Sequence, residues 1–171
     1  SKYGIECEGA SPIISGCTIE NHKQGIHVEG SGATPRITRC IIRQNLEAGV
    51  YSARGASPTV GGVSGQGNEI YENNPPNGYG IRNDDRTQCI DARFNNWHTP
   101  SGPNDPSTRT DGCAMLSNSG TGDKVSDYVY YLDWIGATAH PPSPPTEPNP
   151  PNGANIQTNS PALTVRNSVN P

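Results

Sequence analysis

Three proline-led segments, "SPII" at Pro12, "TPRI" at Pro35 and "SPTV" at Pro58, recur at an interval of 23 residues. Two further registers run at matching spacing. "GIEC" at Gly4, "GIHV" at Gly25, "GVYS" at Gly49 and "GIRN" at Gly80 form one; Ile19, Ile42 and Ile70, trailed by Asn21, Asn45 and Asn73, form the other. The third unit is longer because it carries the insertions "GGVSGQG" and "NNPPNGYG". A period of roughly 20 to 50 residues is the signature of a stacked architecture, in which each unit buries its apolar face only against its neighbours. The short β-branched bursts between Gly, Pro and Asn read as strands. Period-2 alternation puts Ile5, Cys7, Ile26, Val28, Val50 and Ile81 on one face. The expectation is all-β: a short parallel β-solenoid of about four coils, with like residues stacked in ladders. A β-sandwich is the competing arrangement, but sandwiches do not usually hold three registers at one period.

Composition fits a narrow core. Only 30% of the chain is hydrophobic, with 20 Gly and 17 Pro. Such values usually suggest disorder, yet one thin column of Ile, Val and Cys needs no more. The net charge of −4 and the absence of a basic patch argue against a nucleic-acid partner. No run of 18 apolar residues exists to insert into a membrane as a helix, and the start lacks a basic-then-apolar leader.

"CIDARFNNWHTPSGPNDP" (Cys89 to Pro106) followed by "GTGDKVSDYVYYLDWIG" (Gly120 to Gly136) resembles the closing motif of secreted bacterial and archaeal right-handed parallel β-helices of the pectate-lyase-like superfamily. The resemblance covers residues 3 to 136. It departs at His98, where glycine is usual, and at Asp133, where proline often precedes the tryptophan. It implies a right-handed β-helix over residues 1–139 and a secreted or cell-surface location. It also implies that Trp97, Tyr128, Tyr130, Trp134 and Ile135 cap the last coil. It does not imply one activity, because lyases, hydrolases, adhesins and structural proteins share the fold.

Residues 140–153 ("HPPSPPTEPNPPNG") read as a semi-rigid Pro-rich linker. Residues 154–171 resemble the opening strands of a fibronectin-type-III-like domain. Two strands alone cannot bury a face, so Ile156, Leu163, Val165 and Val169 are expected to pair with downstream sequence or with a neighbouring copy. Ser1 begins inside a coil, and an exposed strand edge there invites further pairing.

For chemistry, the densest charged cluster is "RNDDR" (Arg82 to Arg86), with Asp91 and Arg93 nearby. Asp84, Asp85, Asp91 and Arg93 are candidates for acid–base work on a polysaccharide. The plainer reading is a solvated turn between strands. Asp84, Asp85, Asp111 and Asp123, with Asp105, are candidate Ca²⁺ ligands; no other cofactor is suggested. Neither Gly-His-Gly nor Arg-Ile-Lys, the partners that an "NDD" triplet has in polygalacturonases, occurs here. Among the five cysteines, Cys89 and Cys113 bracket the Trp97 loop and are the preferred disulfide, if the compartment is oxidising. Cys17 and Cys40 are expected as inward-facing ladder neighbours, close enough to bridge or equally at home as buried thiols.

Together these features point to a non-catalytic extracellular structural protein that self-assembles into a filament or surface layer. The alternatives are a carbohydrate-active or glycan-binding β-helix, or part of a large surface adhesin.

Overall fold

The computed structural model describes residues 1–75, 78–107, 113 and 117–136. These wind into a right-handed β-solenoid of about five turns. The first turn carries β1 (Tyr3–Glu8), β2 (Ile13–Ser15) and β3 (Thr18–Glu20). The second carries β4 (Gln24–Glu29), β5 (Arg36–Thr38) and β6 (Ile41–Arg43), and the third β7 (Ala48–Ala53), β8 (Thr59–Val60) and β9 (Glu69–Tyr71). The fourth contains β10 (Tyr79–Asn83), β11 (Ile90–Asp91) and a single bridge from Asn96 to Glu69. An excursion through β12 (Asn104–Asp105) and β13 (Asn118–Ser119) leads to the last turn, β14 (Lys124–Val125) and β15 (Val129–Tyr130). The fifth turn exceeds the four expected. Its strands are two residues long and lack the Gly-Ile lead of the others, so repetition alone does not show it.

Three sheets follow the solenoid axis: β1-β4-β7-β10-β14-β12-β13, then β15-β11-β8-β5-β2, then β3-β6-β9. Every pairing is parallel except β12 with β13. The registers read from the sequence are those formed. Ile5 pairs with Ile26, Ile26 with Val50 and Val50 with Ile81. Ile14 pairs with Ile37 and Ile37 with Val60, while Ile19 pairs with Ile42 and Ile42 with Ile70.

The core is the sum of these three columns. Burying each Ile or Val side chain contributes about 1.5–3 kcal/mol, so the column is a main apolar contribution to stacking the coils. At the closing end the columns turn aromatic. Continuing the registers, Trp97 stacks on Ile70, and Tyr131 stacks on Ala92. Both are fully buried, and Trp134 joins them. This shifts the aromatic assignment: Val129 and Tyr131 face inward, so Tyr128 and Tyr130 are only half-buried, and Ile135 is exposed. Strand alternation decides it, because Tyr130 lies between two inward residues.

Backbone conformation bears on both departures from the resemblance, favouring the usual glycine at the first and excluding proline at the second. His98 has φ of +55°, the left-handed region that glycine enters most easily. Asp133 has φ of +61°, which a proline ring forbids.

The asparagines need one correction. Asn21 is aligned with Gln44 and Glu72, and all three are left-handed corner residues with φ of +63°, +54° and +56°. Asn45 and Asn73 come one residue later, are fully buried, and turn inward. The His22 and Asn45 amides donate to Asn45 Oδ1 and Asn73 Oδ1, each at 3.2 Å. Asn45 Nδ2 adds a bond to Asn73 Oδ1 at 2.9 Å. A second ladder links Asn68 to Asn95. Glycine makes room for the first: a Cβ on Gly25 would lie 2.8 Å from Asn45 Nδ2 and 2.6 Å from Gly49 O.

Candidate functional site

The outer face of the longest sheet carries a ladder of rings. Tyr3, His27 and Tyr51 stack at 4.1 and 5.2 Å between centroids; parallel register pairs His27 with Tyr51, whereas Tyr3 is paired with Gln24 and reaches His27 from there. Around them is a groove of about 260 Å³. Its polar groups satisfy one another. Gln24 Oε1 lies 2.7 Å from His27 Nδ1, and Gln24 Nε2 donates to Glu47 Oε2 at 3.0 Å. Arg82 grips Asp84 at two points, 2.8 and 3.2 Å. Tyr51 donates to Asp84 Oδ2 at 2.9 Å, and burial with that bond pushes the Tyr51 phenol up to about 12.

The four catalytic candidates do not converge here. Only Asp84 reaches this network. Asp85 turns away to accept from the Thr87 hydroxyl and amide and from the Gly55 amide. The Thr87 bonds hold its carboxyl below the usual range. Asp91 lies in another sheet and forms its own fork with Arg93, at 2.9 and 2.8 Å, which also lowers its pKa. A general acid needs the opposite shift.

The residue that shows that shift is Asp123, placed just before β14. Its Oδ2 accepts from the Asn73 amide at 3.0 Å and Asn73 Nδ2 at 2.7 Å, so a carboxylate ends the Asn45–Asn73 ladder. Burial raises its pKa despite these bonds. Asp123 lines a cleft of about 580 Å³ beside the aromatic end, with Tyr71, Trp97, His98, Thr99 and Thr121. Tyr71 and His98 stack at 3.8 Å; Arg43 donates to the Tyr71 hydroxyl at 3.1 Å, and His98 Nε2 lies 3.1 Å from Glu69 Oε2. The hydroxyls of Thr99, Ser101 and Thr121 form a triangle with sides of 2.7 to 3.0 Å. The Trp97 indole N–H is buried without a hydrogen-bond partner among the described residues. Such a cleft offers ring edges, hydroxyls and a carboxyl that keeps its proton to higher pH than usual. These suit a neutral, hydroxyl-rich ligand better than a cation.

Sequence reasoning named Asp123 only as a Ca²⁺ candidate and did not single out Tyr71 or Asn73 as site residues; His98 it noted only as a departure. The available signal was the one-residue offset of Asn45 and Asn73 behind the corner positions. Asp105, another Ca²⁺ candidate, is buried and accepts from the Tyr131 hydroxyl at 3.0 Å. Asp84 and Asp85 point to different partners. Among the described residues, no group of three or more His, Cys, Asp or Glu could hold a metal ion. Asp111 and the tail residues Ile156, Leu163, Val165 and Val169 lie outside the described residues.

Cys89 and Cys113 are joined as a disulfide, with Cα atoms 5.9 Å apart. Cys7, Cys17 and Cys40 are free. Cys17 is exposed, which corrects the expectation that it faces inward; Cys40 is buried.

No curated protein and no solved structure matches the chain. A family profile described as "Right handed beta helix region" matches residues 1–97, in agreement with the parallel registers and stacked columns. The match spans more than half of the sequence, and the chain belongs to the right-handed β-helix family.

Proposed function

We propose that this chain is an extracellular β-helix module with a structural, non-catalytic role at a cell surface or in an assembly of its own copies. The observation that carries the reading is the state of the outward carboxylates. Asp84 and Asp91 are each forked by an arginine, and Asp85 is closed into its own turn. Groups so engaged stiffen a scaffold and are poor proton donors. The Cys89–Cys113 bond supports an oxidising, extracellular setting. Assembly is assigned to residues 154–171 through strand addition. The test has two arms. Incubation with uronic-acid polymers and neutral polysaccharides should release neither unsaturated products nor new reducing ends. Light scattering should show concentration-dependent oligomers that disappear when residues 154–171 are removed. Turnover that is lost in Asp84→Asn or Asp91→Asn would sink the non-catalytic reading, and a monodisperse monomer would sink the assembly.

One observation favours a second reading, in which the module also binds a neutral glycan. Asp123, raised by burial, sits in a cleft edged by the Tyr71–His98 stack and a triangle of hydroxyls. Calorimetry with neutral oligosaccharides should show binding that Tyr71→Ala weakens at least tenfold. Equal affinity in that variant would remove the cleft from consideration.

A further inference from the structure

β3 and β6 pair in register from Thr18 with Ile41 onward, and the Ile41 amide donates to the Cys17 carbonyl at 2.8 Å. Cys17 and Cys40 are therefore consecutive rungs of one ladder. Parallel strands place such rungs about 4.8 Å apart, inside the Cα range of about 4.4–6.8 Å that a disulfide spans. The two thiols are not equivalent: Cys17 is exposed and Cys40 is buried. The Cys40 sulfur reaches toward the first turn. It lies 3.7 Å from Ile14 O as well as 3.3 Å from Thr38 O. Cys17 Sγ occupies the equivalent place one turn earlier, 3.5 Å from the carbonyl of Ser15, the register partner of Thr38. Cys7, the third free thiol, is buried opposite Val28 and has no cysteine as its register partner.

The geometry points to a redox pair in which Cys17 is the attacking thiol and Cys40 the resolving thiol of an inter-coil disulfide. The oxidant is an external small-molecule disulfide. The Cys17 thiolate attacks one of its sulfurs, forming a mixed disulfide and releasing one thiolate. Cys40 then loses its proton to solvent and attacks Cys17 Sγ, forming the Cys17–Cys40 bond and releasing the second thiolate. Two protein thiols are oxidised by two electrons, and one external disulfide is reduced to two thiols. Burial pushes the Cys40 thiol up, so the second step is the slow one near neutral pH. Closure ties the first turn covalently to the second.

The test uses the full chain with Cys89–Cys113 intact. It is incubated with excess oxidised glutathione between pH 7 and 9, quenched by alkylation, and read by intact mass and peptide mapping. The expected course is a glutathione adduct on Cys17 that decays into a crosslinked Cys17–Cys40 peptide. The decay should accelerate about tenfold per pH unit, following the thiolate fraction of Cys40. In Cys40→Ser the adduct on Cys17 persists; in Cys17→Ser, Cys40 stays unmodified. A Cys17 adduct that persists in the unsubstituted chain at every pH overturns the proposal. So do dimers linked through Cys17 with no intrachain bond.

Discussion

Asn95 is fully buried at the end of the second ladder, and its amide meets four backbone or side-chain groups at once. Its Oδ1 accepts from the Asn68 amide at 2.8 Å and Asn68 Nδ2 at 2.9 Å. Its Nδ2 donates to Val60 O at 2.8 Å and Ala92 O at 2.7 Å. Asn95→Ala strands all four. Each orphaned buried donor costs about 1–3 kcal/mol, and carbonyls, with a second lone pair, cost less. The two Asn68 donors alone give a loss of about 4 kcal/mol. For a chain of this size that corresponds to a fall in Tm of about 8–16 °C. Denaturant unfolding followed by circular dichroism under non-reducing conditions measures the loss. Hydrogen exchange at the Asn68 amide locates it. As a reference, Gln66→Ala removes the exposed bond from Arg36 and should cost within about 0.5 kcal/mol. A loss below 1 kcal/mol in Asn95→Ala, or unchanged protection at Asn68, would refute the idea that the amide ladder holds the coils.

Three further outcomes follow from the same geometry. Tyr51, with its phenol pushed up to about 12, should titrate above the ordinary 10.0 in ultraviolet spectra, and Asp84→Asn should bring it down. Because its folded pKa exceeds the ordinary 10.0, the associated stability is fully present below pH 10 and lost as pH rises through about 12. Asp123 has a raised carboxyl, so the folded state holds a proton that the unfolded chain releases, and stability falls as pH rises from 3.8 through its folded pKa. Asp123→Asn should therefore be the more stable protein at pH 7, with the advantage vanishing below the ordinary aspartate range in denaturant melts. Gly80→Ala places a Cβ 2.7 Å from Trp97 Cζ3 and 2.9 Å from both Asp123 and Ile70 side-chain carbons. Overpacking on three sides should destabilise by about 1–3 kcal/mol and shift Trp fluorescence; an unchanged spectrum and midpoint would contradict the packing described.

The coil registers were legible because the strand-opening prolines, the Gly-Ile leads and the inward isoleucines recur at equivalent places in each turn. Pro12, Pro35 and Pro58 open the same strand in three turns, and a one-residue slip would turn the inward isoleucines outward. Asparagine has two roles, and identity does not choose between them. Asn21 takes the left-handed corner, whereas Asn45 and Asn73 take the inward position after it. Only the hydrogen-bond partners reveal the shift. The cleft was hidden for another reason: Asp123 meets Asn73 across 50 residues and an irregular excursion that carries no period. Charge density favoured Asp84, Asp85, Asp91 and Arg93 as a site, but adjacency in sequence let these residues pair locally instead of converging.

The asparagine ladder also has a direction. Each rung donates toward the closing end: His22 to Asn45, Asn45 to Asn73, Asn73 to Asp123. The bond common to every rung comes from a backbone N–H, which Asp123 also has; what an ionised carboxylate lacks is the side-chain N–H that Asn45 and Asn73 add. The solenoid can therefore lengthen by duplicating an interior turn, since an inserted asparagine both receives and gives. A turn appended past Asp123 could receive one bond from its backbone N–H and none from an ionised side chain. In this column, an asparagine turn duplicated in the middle of the stack keeps both bonds of a rung, whereas one added past an ionised Asp123 keeps only the backbone bond.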